Sequence, residues 1–325
     1  MYMHKLPPLA LERRLDSRLW GGNTLGPWLH LADAPANLAE SWQVYEHNRV
    51  VDGPFAGRTL AELVAEHGAA LVGTRSFAQY GADFPLLAKF IDAADDLSVQ
   101  VHPDDEYAHT VEAATGFHGK TEAWHILRAE PGAEVIYGFK QDCTREACAA
   151  AIERGTLDDL LQRVPVAAGD TIFVPAGTVH AINAGILLFE IQQKSDLTYR
   201  VYDYDRRDQQ GNLRELHVDR ALDVIDYHAA PTAKVQPQAL GDGRELLIQC
   251  PYFAMERWSF DQPLEATTDG GSFEIFTTID GAAVITAGAD QFRLARGQSL
   301  VLPAATGQYR LVAEPSATLL RCYVP

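Results

Sequence analysis

With 325 residues, 47% of them hydrophobic and 22% charged, the chain has the composition of a globular protein of one large domain or two. Its net charge of −17, from 27 basic and 44 acidic side chains, leaves no basic stripe to neutralise a phosphate backbone, which argues against nucleic acid as a partner. Cys143, Cys148, Cys250 and Cys322 form no C-x-x-C pair, the opening residues lack the apolar run of a signal peptide, and no stretch approaches the roughly 18 apolar residues of a membrane span. A cytoplasmic protein without a membrane partner is expected.

Residues 1–35 are mixed and punctuated by proline, and Trp20-Gly21-Gly22 reads as a turn with a packed Trp. Trp42 and Val44 alternate with Ser41, Gln43 and Tyr45, so 39–46 is expected to be a strand. Thr59 opens a short helix over 59–66, and 84–92 reads as a buried strand. In Leu97-Ser-Val-Gln-Val-His102, apolar and polar residues alternate, so Gln100 and His102 project from one face of a strand that Pro103 ends. A helix is expected over 104–114. Residues 119–127 then form a strand with Lys120, Glu122 and Trp124 on one face and Thr121, Ala123 and His125 on the other.

Residues 143–163, with Ala and Leu at helical spacing, read as a helix packed outside a sheet. From Gly169 the texture is all-β: strands at 171–174, at 178–182 with His180, and at 187–193, separated by Gly- and Pro-containing turns. Residues 228–243 look like a linker, and 244–325 like a smaller β-domain. Gly169-x5-Pro175-x-Gly177-x2-His180 is echoed by Gly297-x5-Pro303-x-Ala305-x2-Gln308. Two related β-sandwiches follow, only the first able to bind metal.

Gln100, His102, Glu122 and His180 are the candidate ligands. Two imidazoles and a carboxylate suit a divalent transition ion, zinc most readily, and an amide as the fourth group leaves room for water or substrate. A single His-bearing turn is as often structural as ligating; the ordered Gln-x-His, Lys-x-Glu and His180 segments together favour metal. His125, on the opposite face, reads as a core or surface histidine. The Tyr202/Tyr204 alternation reads as packing, and Asp203, Asp205 and Arg207 as solvated.

The Gly-x5-Pro-x-Gly-x2-His turn resembles the second motif of the cupins. Segments 97–107, 119–124, 177–182 and 193–206, together with Ser41-Trp42, 52–60 and Pro251-Tyr-Phe253, resemble type I phosphomannose isomerases, most closely their short bacterial branch. The resemblance implies a mainly β fold of two cupin or jelly-roll sandwiches with peripheral helices. A catalytic, metal-binding domain over 1–235 and a jelly-roll domain without ligands over 236–325 are expected. The resemblance implies one divalent ion, zinc above others, on Gln100, His102, Glu122 and His180, with Arg200, Lys120 and Asp196 catalytic and Ser98, Lys120 and Arg200 binding substrate. Longer members carry a His directly before the Lys, where Gly119 stands here with His118 one step off. Their large helical insertion has no counterpart in this sequence.

The implied reaction interconverts mannose 6-phosphate and fructose 6-phosphate by proton transfer between C1 and C2 through an enediolate. The phosphate of this small-molecule partner requires a positive well, expected from Arg200, Lys120 and Arg206. Glu190, Asp196 and Lys120 are the candidate bases. The rivals are another cupin metalloenzyme, against which the Gln100 ligand argues, and a non-catalytic sugar-phosphate binding module, against which Lys120, Asp196 and Arg200 argue. The pattern carries no signal of oligomeric state.

Overall fold

The computed structural model describes residues 6–207 and 211–325, so residues 1–5 of the opening segment lie outside the described residues. Three antiparallel sheets dominate. The first orders six strands as Arg14–Gly22, Leu38–Val44, Leu86–Ala93, Ile186–Gln193, Glu122–Ala129 and Thr171–Val174. The second orders five as Tyr199–Tyr202, Val99–Val101, His180–Ile182, Glu134–Phe139 and Leu161–Pro165.

Residue parity explains how these two sheets enclose a site. In Leu86–Ala93, Leu86, Ala88 and Phe90 join the outer core, with Leu187, Phe189 and Ile191 of the neighbouring strand. Ile91, Trp124, Ile126 and Leu188 point the other way, onto Val135, Tyr137 and Ile182 of the second sheet. Lys89, Glu190 and Glu122 fall on this same inward parity, because side chains two apart share a face. The back of the second sheet is covered by helix Arg145–Arg154, through Cys148, and helix Val218–Val224, through Ala221 and Leu222. The back of the first is covered by helix Leu60–His67, which buries Leu60, Leu63 and Val64 and starts at a Thr59–Glu62 capping box.

The third sheet, of nine strands, includes Gln238–Gly241, Arg244–Gln249, Ala254–Phe260, Glu274–Ala287, Ser299–Leu302 and Gln308–Tyr323. Leu9–Ala10 pairs with Ser299–Leu302 in it, and Phe253, Phe273 and Ile275 share one core with Phe84 and Phe90. The repeated turn is visible: Gly169 and Gly297 both take positive φ, +92° and +79°, which favours glycine. Gln308, the counterpart of His180, is exposed, and the neighbouring Tyr309 instead donates to Glu274 at 2.7 Å.

Several expectations are corrected. The 143–163 segment is helical only over Arg145–Arg154, because Gly155 turns left-handed at the C-cap; after a short 3-10 turn, Leu161–Pro165 is an edge strand. Trp20-Gly21-Gly22 ends a strand rather than forming a turn. Gly21 pairs with Ala93, and a Cβ on it would stand 2.1 Å from the Asn37 carbonyl oxygen. The 228–243 stretch is not free coil: Lys234 bridges to Ile172, and Gln238–Gly241 is a strand. Among the described residues no helix exceeds ten residues, and none is long and apolar enough to cross a membrane.

Candidate functional site

Three strands of the second sheet carry the ligand face. Gln100 on Val99–Val101 is register partner of both His180 and Arg200. His102 follows just after that strand, and its carbonyl accepts from Gly177 N at 2.9 Å, joining it to the turn before His180. Glu122 begins a strand of the facing sheet, and Lys120 N donates to Pro103 O at 2.9 Å. Two segments of each sheet are thus tied together at one point.

The three side chains converge there. His102 Nε2 lies 3.5 Å from Glu122 Oε2, and His180 Nε2 lies 3.3 Å from Glu122 Oε1. Both imidazoles have their other nitrogen occupied: His102 Nδ1 donates to Leu197 O and His180 Nδ1 to Thr178 O, each at 2.8 Å. This tautomer leaves both Nε2 lone pairs facing the centre of the cluster, where His102 Nε2 accepts from Lys120 Nζ at 3.0 Å, and an occupied Nδ1 is the arrangement that orients metal-bound histidines. Gln100 brings its amide to 3.4 Å from His180 Nε2, and Ser98 Oγ donates to Gln100 Oε1 at 3.4 Å. A half-turn of the amide presents its carbonyl oxygen instead.

Burial tunes the same set. It lowers the pKa of His102, with help from the Lys120 ammonium, and that of His180, so both stay neutral and able to ligate. Burial alone would raise the Glu122 carboxyl. Lys120, whose ammonium is 2.8 Å away, outweighs it and holds Glu122 below the usual carboxylate range. Two neutral imidazoles, an ionised carboxylate and an adjacent amide are the donor chemistry of a zinc-type site with an open position.

The cluster underlies a cleft of about 710 Å³. Lys120, Asp196, Arg200, Ser98, Gln100 and Glu122 line it, so the predicted site residues at the cleft surface are brought together, and Glu190 lines it too. Arg200 Nη1 donates to Glu215 O at 3.0 Å, whereas its buried Nε has no partner. Asp196 is exposed at the wall.

Arg206 is corrected. It stacks over Tyr204 and bonds to Asp203 and the Asp96 carbonyl, and Arg214 lines the cleft in its place. Asp203 is not solvated but 5% exposed, paired with Arg206 and Arg214. His118 does not substitute for a histidine at 119: its ring faces Asp83, Tyr80 and His109. His125 is a core residue, hydrogen-bonded to Thr171 Oγ1 at 3.0 Å.

Lys89, Glu40 and Arg214 are not singled out by the sequence patterns above. Lys89 Nζ lies 2.9 Å from Glu40 Oε1 and 3.2 Å from Glu190 Oε1, in the cleft wall. The available signal is a lysine inside Leu86-Leu-Ala-Lys-Phe-Ile91 and a glutamate inside Leu187-Leu-Phe-Glu-Ile191, since unpaired charges are rarely buried in apolar strands. Burial alone would lower Lys89, but Glu190 and Glu40 outweigh it and raise its pKa. Burial would raise Glu40; Lys89 and Arg18 pull it down to about 2. Glu190 is raised, by burial first and then by Glu122.

A family model described as "Phosphomannose isomerase type I, catalytic domain" matches residues 9–123, and one described as "Mannose-6-phosphate isomerase, cupin domain" matches 244–324. Mannose-6-phosphate isomerase ManA of Bacillus subtilis strain 168 is 38% identical over 311 residues, covering 94% of this chain and 95% of that protein. The chain belongs to the type I phosphomannose isomerase family. The mannose-6-phosphate isomerase of Streptococcus mutans is 37% identical, with 91% of this chain and 92% of that protein covered. The crystal structure of the mannose 6-phosphate isomerase from Bacillus subtilis superposes with a TM-score of 0.86 at 32% identity, over 97% of this chain and 99% of that one. A zinc-bound holo mannose 6-phosphate isomerase shares the fold at a TM-score of 0.77 and 17% identity, over 98% and 99% of the two chains. As expected from the sequence, this phosphomannose isomerase family member is mainly β, with cupin-type sandwiches and a few peripheral helices.

Proposed function

We propose that this chain is a mannose-6-phosphate isomerase, a metal-dependent aldose–ketose isomerase that interconverts mannose 6-phosphate and fructose 6-phosphate by moving a proton between C1 and C2. One observation carries the reading. His102, Glu122 and His180 offer ligand atoms within 4.8 Å of one another beneath a cleft walled by Lys89, Lys120, Arg200 and Glu190. The names of the relatives support it, and the zinc-bound form of one neighbour is consistent with zinc as the ion of this cluster.

His102, Glu122 and His180 would hold the ion, with Gln100 as a fourth ligand. When bound, it supplies Lewis-acid polarisation of sugar oxygens, which makes the C2 proton more acidic. The chain's own groups do the rest. Glu190, buried with a raised pKa and anchored through Oε2 by the Trp124 indole N–H at 3.0 Å, is assigned the proton transfer. Such a base must come within about 3 Å of the proton it takes. Lys89 keeps Glu190 placed and compensated in the apolar wall. Lys120 orients Glu122 and adds positive charge beside the reacting carbons. Arg200 carries charge that cannot be lost by deprotonation, suited to the developing enediolate oxygen, and Arg214 draws the phosphate to the wall. Ser98 fixes the Gln100 amide and faces substrate. Asp196 at the wall is assigned a second acid–base role. Residues 1–235 form the catalytic unit in this reading, and 236–325 buttress it. Four free cysteines support a reducing cytoplasm.

The test is a coupled assay supplying mannose 6-phosphate and detecting fructose 6-phosphate, before chelation, after it and after zinc is restored. Turnover lost on chelation and regained with zinc is expected. No fructose 6-phosphate from the zinc-loaded protein would overturn the reading.

A further inference from the structure

A second set of metal-type ligands lies outside the cleft and independent of the isomerase reading. Asp105 and His109 stand at i and i+4 on helix Asp105–Thr110, so they share a face. His118 comes from the segment leading to Lys120. His109 Nε2 and His118 Nδ1 are 3.0 Å apart, and ligand atoms of Asp105, His109 and His118 all fall within 4.8 Å of one another. Two nitrogens bound tetrahedrally to zinc at about 2.0–2.1 Å stand roughly 3.3 Å apart. An ion between these two imidazoles therefore needs a movement of only a few tenths of an ångström.

Two of the three ligands, His118 and Asp105, are oriented from behind. His118 Nε2 stands 2.9 Å from Asp83 Oδ2, and Asp83 is itself held by Lys194 Nζ at 2.8 Å. With the Nε2 proton given to that carboxylate, Nδ1 presents its lone pair to His109, as in the carboxylate–imidazole pairs behind bound metals. Asp105 Oδ1 accepts from Gly119 N at 2.8 Å and Gln193 Nε2 at 2.9 Å, which fixes the carboxylate and leaves its second oxygen for an ion. His109 is exposed, so an ion reaches the cluster without passing through the cleft.

We propose that Asp105, His109 and His118 form a second divalent-metal site of zinc type, with water completing the coordination. The ion would clip the helix to the segment that enters Lys120.

Zinc alone is the probe. Tag-free full-length protein, already loaded in the cleft, is titrated with zinc by calorimetry, alongside His109→Ala and His118→Ala. The wild type takes up a second equivalent, and each substitution weakens it by about tenfold or more, while mannose 6-phosphate turnover stays at the wild-type level. Retained turnover also shows that each variant is folded; His109, being exposed, keeps the test alive if His118→Ala does not fold. Replacing zinc by cobalt at the second equivalent gives an absorption band that His109→Ala alters. No uptake beyond the equivalent already in the cleft, or an undiminished second equivalent in the folded variants, would overturn the site and leave a plain histidine–histidine hydrogen bond.

Discussion

Lys89 and Glu190 are register partners on adjacent strands of the first sheet, with Nζ 3.2 Å from Oε1. The pair lies on the inward face, within apolar strands, where an uncompensated carboxylate would be costly. The lysine allows a carboxylate to stay beside the ligand cluster, while burial and Glu122 push its pKa up, as suits a base. Glu190→Gln keeps the shape and the Trp124 contact but removes the proton acceptor. Its kcat should fall about 10²- to 10⁴-fold. The sign of the pH dependence follows: wild-type kcat rises with pH as Glu190 loses its proton, and that acid limb flattens in the variant. Wild-type turnover in Glu190→Gln would remove Glu190 from the proton transfer.

His180→Ala should lose the cleft metal and the activity together. The imidazole is 1% exposed, its Nδ1 is pinned by Thr178 O, and its Nε2 stands 3.3 Å from Glu122 Oε1. Loss of an orienting partner alone typically weakens metal binding about 10- to 100-fold, so loss of the ligand should exceed that. Metal analysis of the dialysed variant is the measurement. A fully metallated, active variant would refute the ligand assignment.

Much of this site is readable from alternation. Gln100, Lys120 and Glu122 each sit on short alternating runs whose polar parity identifies the inward face, and His180 follows a turn of proline and glycine with fixed spacing. Local sequence carries such information because a strand has a period of two. Lys89 illustrates what local pattern omits. It lies in a run apolar on both faces, because both faces of that sheet are covered, and only the packing of the second sheet decides which parity meets the ligands. Arg214 is further still, delivered by an irregular segment with no periodicity. The 143–163 segment misleads because Ala and Leu continue a helical spacing past Gly155, whereas Leu161–Pro165 finds backbone partners in Glu134–Phe139.

Arg200 offers a separable effect. It lines the cleft, its buried Nε has no partner, and its side chain hydrogen-bonds Glu215 O at 3.0 Å rather than His102, Glu122 or His180. Arg200→Ala should reduce kcat by about 10²-fold or more while metal content stays at the wild-type level, since a charge aimed at the developing oxyanion acts on the transition state. Arg200→Lys should recover little, because an ammonium lacks the planar fork. Unchanged turnover in Arg200→Ala would take it out of the mechanism.

Acid stability should bear the mark of His125. Burial first, and Arg257 second, lower its pKa to about 4. The unfolded chain takes up that proton near pH 6.5, so its contribution is fully present above that value and is lost as pH falls towards about 4. The full effect is up to about 3 kcal/mol. His125→Asn, which retains a hydrogen-bonding group for Thr171, should lower stability at pH 7.5 yet flatten its decline between pH 6.5 and 4. Denaturant melts across that range measure it. Parallel declines in the two proteins would mean that His125 does not titrate on unfolding.

Gly119 explains why no histidine precedes Lys120 in this chain. A Cβ there would stand 2.4 Å from Asp104 C and 2.5 Å from Asp105 N, both backbone atoms at the start of helix Asp105–Thr110. The Gly119 amide also donates to Asp105 Oδ1 at 2.8 Å. A side chain at 119 must push the helix away or shift the strand that begins beside it. Gly119→Ala should therefore cost about 1–3 kcal/mol, as overpacking does. Because Lys120 is the next residue and holds Glu122 at 2.8 Å, the same substitution should depress kcat beyond what any loss of folded protein accounts for. Urea melts and kinetics on the folded fraction separate the two effects. Wild-type stability and turnover in Gly119→Ala would show that the contact is not tight, and the absence of a histidine here would need another cause.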